Sequence, residues 1–378
     1  MISTEPATIL PPETIFAHVQ AILHPDDQGL PRLECPPPAL SRYGYLRVNH
    51  TLPAGDVHYF LALNLRNCLP LLPTLLGSII EAIRFLGPKH CSLSIVEGNS
   101  PDGTADVLSA LRKELGDWTT TNFVLSYDLN PLEGDRFPRL AQLRNLALAP
   151  VKEHPDRHSN ATVVFINDVA LCSEDILELV HQKAFQEADM TCAFDWIGGG
   201  NGNDDQPVFY DVYIARGING DIFFNIPPDT TSWQFAQTLF WNDKGSQARV
   251  LSHQPTQVFA CWNGAVAFTA ALVLENNLTF RAANTEKGEC HQGEPQLFCK
   301  DMWYHGFGRI AMVPSINLEY TVEKGKYIKG LKGFASQWTS TGHSDGEKIS
   351  SWSPPPDHVK CMRTFDQQSW RPWNETLV

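Results

Sequence analysis

Polar residues that could bind a nucleotide and a cation recur where apolar, strand-length segments of this sequence end. In Phe165-Ile166-Asn167-Asp168-Val169 an amide and a carboxylate stand where an apolar run stops. A hard divalent cation bridging a diphosphate needs one or two such oxygen ligands, because phosphate oxygens and water complete its octahedron. As a Lewis acid it would neutralise charge on a departing diphosphate. The same dipeptide taken alone is also an ordinary strand-ending turn. Val96 to Thr104 (VEGNSPDGT) closes another run with Glu97, and Asn99 follows, where hydrogen bonds could meet a nucleoside. Pro-Asp-Gly is turn chemistry in its own right. With no GxGxxG after the first strand and no GxxxxGK[ST] anywhere, a nicotinamide-type fingerprint and a P-loop are excluded.

Further groups lie downstream. Arg144 and Asn145 sit in LAQLRNLAL, and Arg144 is flanked by Leu140, Leu143, Leu146 and Leu148, so it could pair on a helix surface or turn towards a site. Phe209 to Asp221 (FYDVYIARGINGD) holds Asp211, Arg216 and Asp221; Arg216 could meet a phosphate or pair with Asp211. In Cys261 to Phe268 (CWNGAVAF), Gly264 could admit a ligand to the backbone while Trp262 stacks on a sugar face, or the segment is a turn. Cys290 to Met312 carries His291, Glu294, Asp301 and His305; helical spacing from Pro295 puts Glu294 at a helix start and His305 one turn beyond Asp301. No HExxH frame appears, which argues against a mononuclear zinc hydrolase.

The elements that must position these groups alternate. Strand-length apolar runs are predicted at His58–Leu65, Cys91–Glu97, Asn122–Tyr127, Ala161–Asn167 and Met190–Ile197. Helical patterns lie between them at Leu72–Leu86, Thr104–Leu115 and Phe137–Ala149, and Ser173 is read as the cap of another, with Glu174 and Asp175 in its first turn. Such alternation demands an α/β fold with a mostly parallel sheet covered on both faces. Ligands of open sheets of this kind sit beyond the carboxyl ends of the strands, which is where Arg66, Glu97 and Asp168 fall.

Composition narrows the class. The 378 residues are 43% hydrophobic and 19% charged, enough to bury a large core, and the net charge of -13 disfavours a nucleic-acid binder. The richest apolar stretch, Leu69 to Leu86, is interrupted by Pro70, Pro73, Glu81 and Arg84, and reads as part of a soluble domain. Nine cysteines include no CxxC pair; an odd count in an oxidising compartment leaves at least one thiol free, with a few disulfides among the rest. Sequons at Asn49, Asn160, Asn277 and Asn374 weakly favour secretory placement, although Glu5, Pro11 and Pro12 stand where a signal peptide would be apolar. A Pro-rich stem is expected over 1–57 and a Trp-rich tail that wraps back over 326–378.

Taken in order, LALNLRNCLPLLPTLL, SIVEGNSPDGTADVL, RLAQLRNLAL, VFINDVALCSEDILELV, FYDVYIARGINGD, CWNGAVAF and GEPQLFCKDMWYHGFGRI resemble the fungal capsule-associated α-1,3-mannosyltransferase family, colinearly from about Leu61 to Pro314. The resemblance implies a GT-A-type αβα sandwich over 58–325, with a nucleotide-binding half to 168 and an acceptor-binding half from 169. It further implies retaining, Mn²⁺- or Mg²⁺-dependent transfer from GDP-mannose to a glycan acceptor, with no nucleic-acid partner. Such enzymes are Golgi type II membrane proteins, so the resemblance leads us to expect an anchor trimmed from this chain. Its metal motif falls on Asn167-Asp168-Val169, a departure from two strict aspartates, with Asp168 as metal carboxylate, Asn167 facing ribose or phosphate, and His305 as a late metal ligand. Its nucleotide-side positions are Asn64, Arg66, Glu97, Asn99 and Arg144, with Arg216 a further phosphate candidate. The sugar's β face is assigned to Asp195, Asn263 or Glu294. Front-face attack is favoured over a covalent intermediate, because no paired carboxylates stand at close spacing. Three other readings stay open: a UDP-sugar donor, a catalytically silent carbohydrate-binding scaffold, and a glycoside hydrolase, although no acid/nucleophile pair is recognisable.

Overall fold

A computed structural model describes residues 9–48, 56–127, 129, 134–198, 206–339 and 346–377. The Asn49 sequon, Pro131 and the start of the chain lie outside them. Two helices, α1 (Pro12–Leu23) and the short α2 (Leu40–Tyr43), precede β1 (Tyr59–Leu65). Then α3 (Leu72–Leu86), β2 (Cys91–Glu97), α4 (Thr104–Leu115), β3 (Thr120–Val124) and α5 (Arg136–Ala147) alternate. After the short α6 (Ala149–Glu153) and α7 (Pro155–His158) come β4 (Thr162–Ile166), α8 (Ser173–Phe185) and β5 (Met190–Ile197). Each predicted element is found with the predicted type; the differences are at boundaries. The helix expected through Ala149 stops at Ala147 and restarts, since Pro150 has no N–H to continue the ladder. Cys172, not Ser173, caps α8, with Asp175 accepting from the Cys172 amide at 2.8 Å.

Beyond β5 the pattern changes to short strands and hairpins: β6 (Val208–Phe209), β7 (Arg216–Gly217), α9 (Lys244–Leu251), β8 (Thr256–Ala260), β9 (Ala265–Thr269) and α10 (Ala271–Leu274). The chain continues through α11 (Glu294–Tyr304), β10 (Ile310–Leu318), α12 (Val322–Lys332), α13 (Ala335–Trp338) and a hairpin of β11 (His358–Met362) and β12 (Gln368–Pro372). The main sheet has the order β3-β2-β1-β4-β9-β5-β10-β8-β7. β1–β5 and β10 run one way, while β8 and β9 run against them. That reversal matters for the site. The parallel strands end on one edge, and the antiparallel β9 begins there, so Trp262, Asn263 and Gly264 meet the residues that follow β4 and β5.

Burial explains why these sequences form these elements. Along β1, Phe60 and Ala62 enter one core while Tyr59, Leu61, Leu63 and Leu65 enter the other, so a nearly continuous apolar run is buried on both faces. In α3, Leu72, Leu75, Leu76, Ile79, Ile80 and Ile83 recur at helical spacing. The segment Leu69–Leu86 is long and apolar enough to cross a membrane by length and composition alone, but most of it is buried inside the fold. Its charged end is met by the N-terminal segment, where Arg32 pairs with Glu81 at 3.0 Å.

Three disulfides cross-link distant segments. Cys35–Cys172 ties the N-terminal segment to α8, Cys192–Cys261 ties β5 to the end of β8, and Cys290–Cys361 ties the C-terminal hairpin to the chain before α11. Cys68, Cys91 and Cys299 are buried thiols. The hairpin is also held by Arg216, whose Nε donates to Lys360 O at 2.8 Å, and by Lys360, which pairs with Asp221 at 2.6 Å. Gly220 lies beneath it at φ 80°, where an added Cβ would come within 2.1 Å of His358 O. Gly220→Ala is therefore expected to lower stability by more than about 1 kcal/mol and to loosen the hairpin, read as a lower thermal midpoint and faster cleavage near residue 358.

Candidate functional site

The site forms where the carboxyl ends of β1, β2, β4 and β5 meet the turn before β9. After β1 and β2 the two loops are laced together. Asn67 N donates to Ser100 Oγ (2.9 Å), Cys68 N to Thr104 Oγ1 (3.1 Å), Leu69 N to Asp102 Oδ2 (3.0 Å) and Arg66 Nε to Gly98 O (3.1 Å). Asn99 is exposed and left-handed at φ 52°, a conformation asparagine tolerates. Arg66 is half-buried. These two remain in position to meet a ligand.

Glu97 does not. Its carboxylate accepts from the backbone amides of Ser100 (2.7 Å) and Ser126 (2.9 Å), so it shapes the loops from within. Asn64 is likewise turned inward: with its amide oriented to suit its neighbours, the nitrogen donates to Leu63 O and Leu143 O and the oxygen accepts from Arg144 N, all at 3.1 Å. Both of these expected nucleotide contacts are instead supports of the backbone.

Arg144 turns to the site, and the structure shows why its Leu-rich surroundings permit this. Its guanidinium is buried over Trp262, Phe165 and Phe280, 4.6, 5.2 and 5.7 Å from the ring centroids. Nε donates to Glu294 Oε1 at 2.8 Å, and Nη1 to Asn167 Oδ1 at 3.3 Å. Glu294 is the first residue of α11, as the spacing from Pro295 predicts. Asn167 Oδ1 also accepts from Trp262 Nε1 at 3.1 Å, which leaves the NH₂ end of that half-buried amide for a ligand.

Asp168 is exposed at the rim of a 470 Å³ cavity lined also by Asn67, Cys68, Leu69 and Tyr320. Although accessible, its carboxyl is crowded. Desolvation pushes its pKa up, opposed by its own backbone amide and by the charges of Arg144 and Arg136. A larger cavity of 950 Å³ lies under the N-terminal segment, against Glu81 and Arg84 at the other end of α3.

The sequence showed no carboxylates at close spacing, but the fold builds a pair. Asp195, near the end of β5, is fully buried; its Oδ2 accepts from Tyr320 Oη at 2.6 Å and its Oδ1 has no hydrogen-bond partner among the described residues. Asp211 is half-buried, and its Oδ2 accepts from Asn263 N at 2.8 Å. Burial first, and then the charge of Asp211, push the Asp195 pKa well above the usual carboxylate range. Burial pushes Asp211 up to about 6, opposed by Asn263 N–H and Arg144. A carboxylate oxygen with no donor is costly when ionised, so the protonated state suits Asp195.

The remaining expected site residues are placed elsewhere or occupied. The Asn263 side chain donates to Ala193 O at 2.9 Å and sits at φ 52°, so it fixes the turn and does not face outward. Arg216 meets neither phosphate nor Asp211: its Nη1 donates to Val212 O and Ala215 O, and burial lowers its pKa to about 10. His305 lies at the far end of α11 from Glu294, roughly 16 Å away along an 11-residue helix, beside Asn277 and Asp301. Among the described residues no group of three or more His, Cys, Asp or Glu could hold a metal.

Residues 58–301 match the family described as cryptococcal mannosyltransferase 1. The α-1,3-mannosyltransferase CMT1 of Cryptococcus neoformans is 33% identical over 348 residues, covering 84% of this chain and 72% of that protein. The chain belongs to the cryptococcal mannosyltransferase family. It is a glycosyltransferase. A solved structure, mannosyltransferase PcManGT from Pyrobaculum calidifontis in complex with GDP-Man and Mn²⁺, aligns with a TM-score of 0.40 at 12% identity, covering 81% of this chain and 67% of that one. Within this family member, sequence reading missed Asp211 as the partner of Asp195, and missed Tyr320. The available signal was FYDVY, an aromatic-flanked carboxylate one hairpin away from MTCAFDWI.

Proposed function

We propose that this protein transfers mannose from GDP-mannose, with retention, to a mannose-containing glycan acceptor in α-1,3 linkage. The observation that carries the reading is the accessible Asp168 carboxylate after β4, beside Arg144, Asn167 and Glu294, in a chain one third identical to an α-1,3-mannosyltransferase. Asp168 supplies the hard oxygen donor that Mn²⁺ or Mg²⁺ prefers, and diphosphate oxygens and water would complete the octahedron. Such a cation neutralises charge on the departing diphosphate. Asn167 offers its NH₂ end to a phosphate or ribose oxygen, while Arg66 and Asn99 lie on the nucleoside side.

Arg136 adds a cation to the donor side. It is exposed at the start of α5, makes no ion pair among the described residues, and its charge reaches Asp168 and Tyr210. Arg136→Ala is expected to raise the donor KM about tenfold with little change in thermal midpoint, as befits a free surface charge facing a diphosphate.

On the sugar side, Asp195 is sealed and acts behind the half-buried Asp211. We place Asp211 against the β face, where it steadies an oxocarbenium-like state during front-face attack. A mannosyl adduct on Asp211 found by mass spectrometry would replace that route with a covalent one. The same proposal puts the chain in the Golgi lumen, an oxidising compartment that three disulfides support.

Thermal denaturation with GDP or UDP, each with Mn²⁺ or chelator, tests the donor. Ligand at about 100 times its Kd adds about 2.7 kcal/mol to the native state. A GDP shift lost on chelation is the expected result. A shift with UDP alone would replace GDP-mannose by a UDP-sugar, and no shift with either would favour a silent carbohydrate-binding scaffold.

A further inference from the structure

Large aromatic side chains scattered singly over a surface need no explanation. Tyr210 and Tyr213 are not scattered singly. They flank the Asp211 carboxylate in sequence and are 44% and 39% exposed. Ile214 N and Ala215 N both donate to Asp211 O, at 3.1 and 2.9 Å, winding the chain into one helical turn that starts at the carboxylate and carries Tyr213, with Tyr210 just ahead of it. Tyr210 is anchored from behind: its N–H donates to Asp195 O at 3.1 Å and its ring lies 4.9 Å from that of Tyr320. Tyr213 stacks on Phe365 at 5.0 Å and 22°, and Phe365 meets Trp233 edge-on at 5.5 Å. Phe365 lies in the turn of the β11–β12 hairpin, which the Cys290–Cys361 disulfide fixes. The rings are therefore held rigidly from below and open above.

We propose that Tyr213 and Tyr210 form a stacking platform for the glycan acceptor, which they hold as it leads to the Asp211 carboxylate. The inference rests on the reading that the acceptor is a glycan, and it adds the subsite and the chain length required. A pyranose offers an apolar C–H face and a rim of hydroxyl donors. Aromatic rings beside carboxylates match both: Asp211 stands between the two tyrosines in sequence, and Asp366 follows the Phe365 on which Tyr213 stacks. A nucleotide could stack as well, but the cation Arg136, which suits a diphosphate, acts on Asp168 and Tyr210, whereas Tyr213 stacks on Phe365 of the hairpin, next to the Asp366 carboxylate. The diphosphate thus belongs at Asp168 and the sugar chain at Tyr213. The C-terminal hairpin, through Phe365, completes the acceptor site.

Binding of α-linked mannobiose and mannotriose to the full chain, followed by saturation-transfer NMR and calorimetry, tests this without requiring turnover. Tyr213→Ala is expected to weaken mannotriose about tenfold, Tyr213→Phe to bind as wild type, and methyl α-mannoside to be insensitive to both. The nucleotide-induced thermal shift of Tyr213→Ala should match wild type, showing an intact fold and donor side. Unchanged mannotriose affinity in Tyr213→Ala, or no mannotriose binding by a wild-type chain that binds nucleotide, would overturn the platform. Tyr213-dependent glycan binding without any nucleotide effect would instead overturn the transferase donor and leave the platform standing.

Discussion

Asp168→Ala should lower transfer by about a thousandfold, because it removes the exposed carboxylate proposed to hold the cation that neutralises charge on the departing diphosphate. The loss should come with an unchanged fold. Asp168 is exposed, makes no ion pair among the described residues, and is already burdened by desolvation, so truncation should move stability by no more than about 0.5 kcal/mol. That separation makes it a sharper probe than Arg144. Arg144→Ala would leave Glu294 buried beside an empty guanidinium site, at a cost of about 3–5 kcal/mol, and lost activity would then say little about chemistry. Asp168→Asn keeps the shape and removes the charge; it should resemble the alanine variant. Single-turnover rates and thermal midpoints of both variants are the measurement. Turnover within a few-fold of wild type would remove Asp168 from the metal site.

What the sequence could and could not disclose follows from the distance over which each feature is decided. The alternation through Ile197 was legible because each element buries its own apolar face, and β1 and α3 carry that pattern within 7 and 15 residues. Asn167 and Asp168 were legible because a strand end is a local event. The Asp195–Asp211 pair was not. It depends on β6 pairing back onto β5, Trp196 opposite Phe209, which carries Tyr210 N to Asp195 O. Tyr320 reaches Asp195 only because β10 lies beside β5 in the sheet, 125 residues along the chain. Arg216 misled for the same reason. Its carbonyl partner on Lys360 belongs to a hairpin whose docking no local pattern announces. His305 shares a helix with Glu294, but helical spacing settles the face and not the separation between ends.

Asp211→Asn should raise stability at pH 7.5 while lowering transfer by about a hundredfold or more. Burial raises this carboxyl from its ordinary 3.8 to about 6, so the native state holds a proton that the unfolded chain releases near pH 4. Below pH 4 both states are protonated and the group carries no electrostatic penalty. As pH rises from about 4 to about 6 the unfolded carboxyl ionises while the native one, desolvated beside Asp195, holds its proton, and stability falls by up to about 3 kcal/mol across that window. An amide escapes this penalty and keeps an oxygen to accept from Asn263 N. The variant should therefore match wild type near pH 4 and exceed it by a few degrees in midpoint at pH 7.5. Activity should move the other way, because the Asp211 carboxylate is the group we propose to stand against the developing positive charge of the sugar. Wild-type turnover should show an acid limb with an apparent pKa near 6, a property of the pair and not of one residue, and the variant should lose that limb. Denaturation from pH 4 to 8, paired with a pH–rate profile, reads both effects. A variant that is less stable at pH 7.5, or one that keeps the acid limb, would show that the pair serves packing and takes no part in transfer.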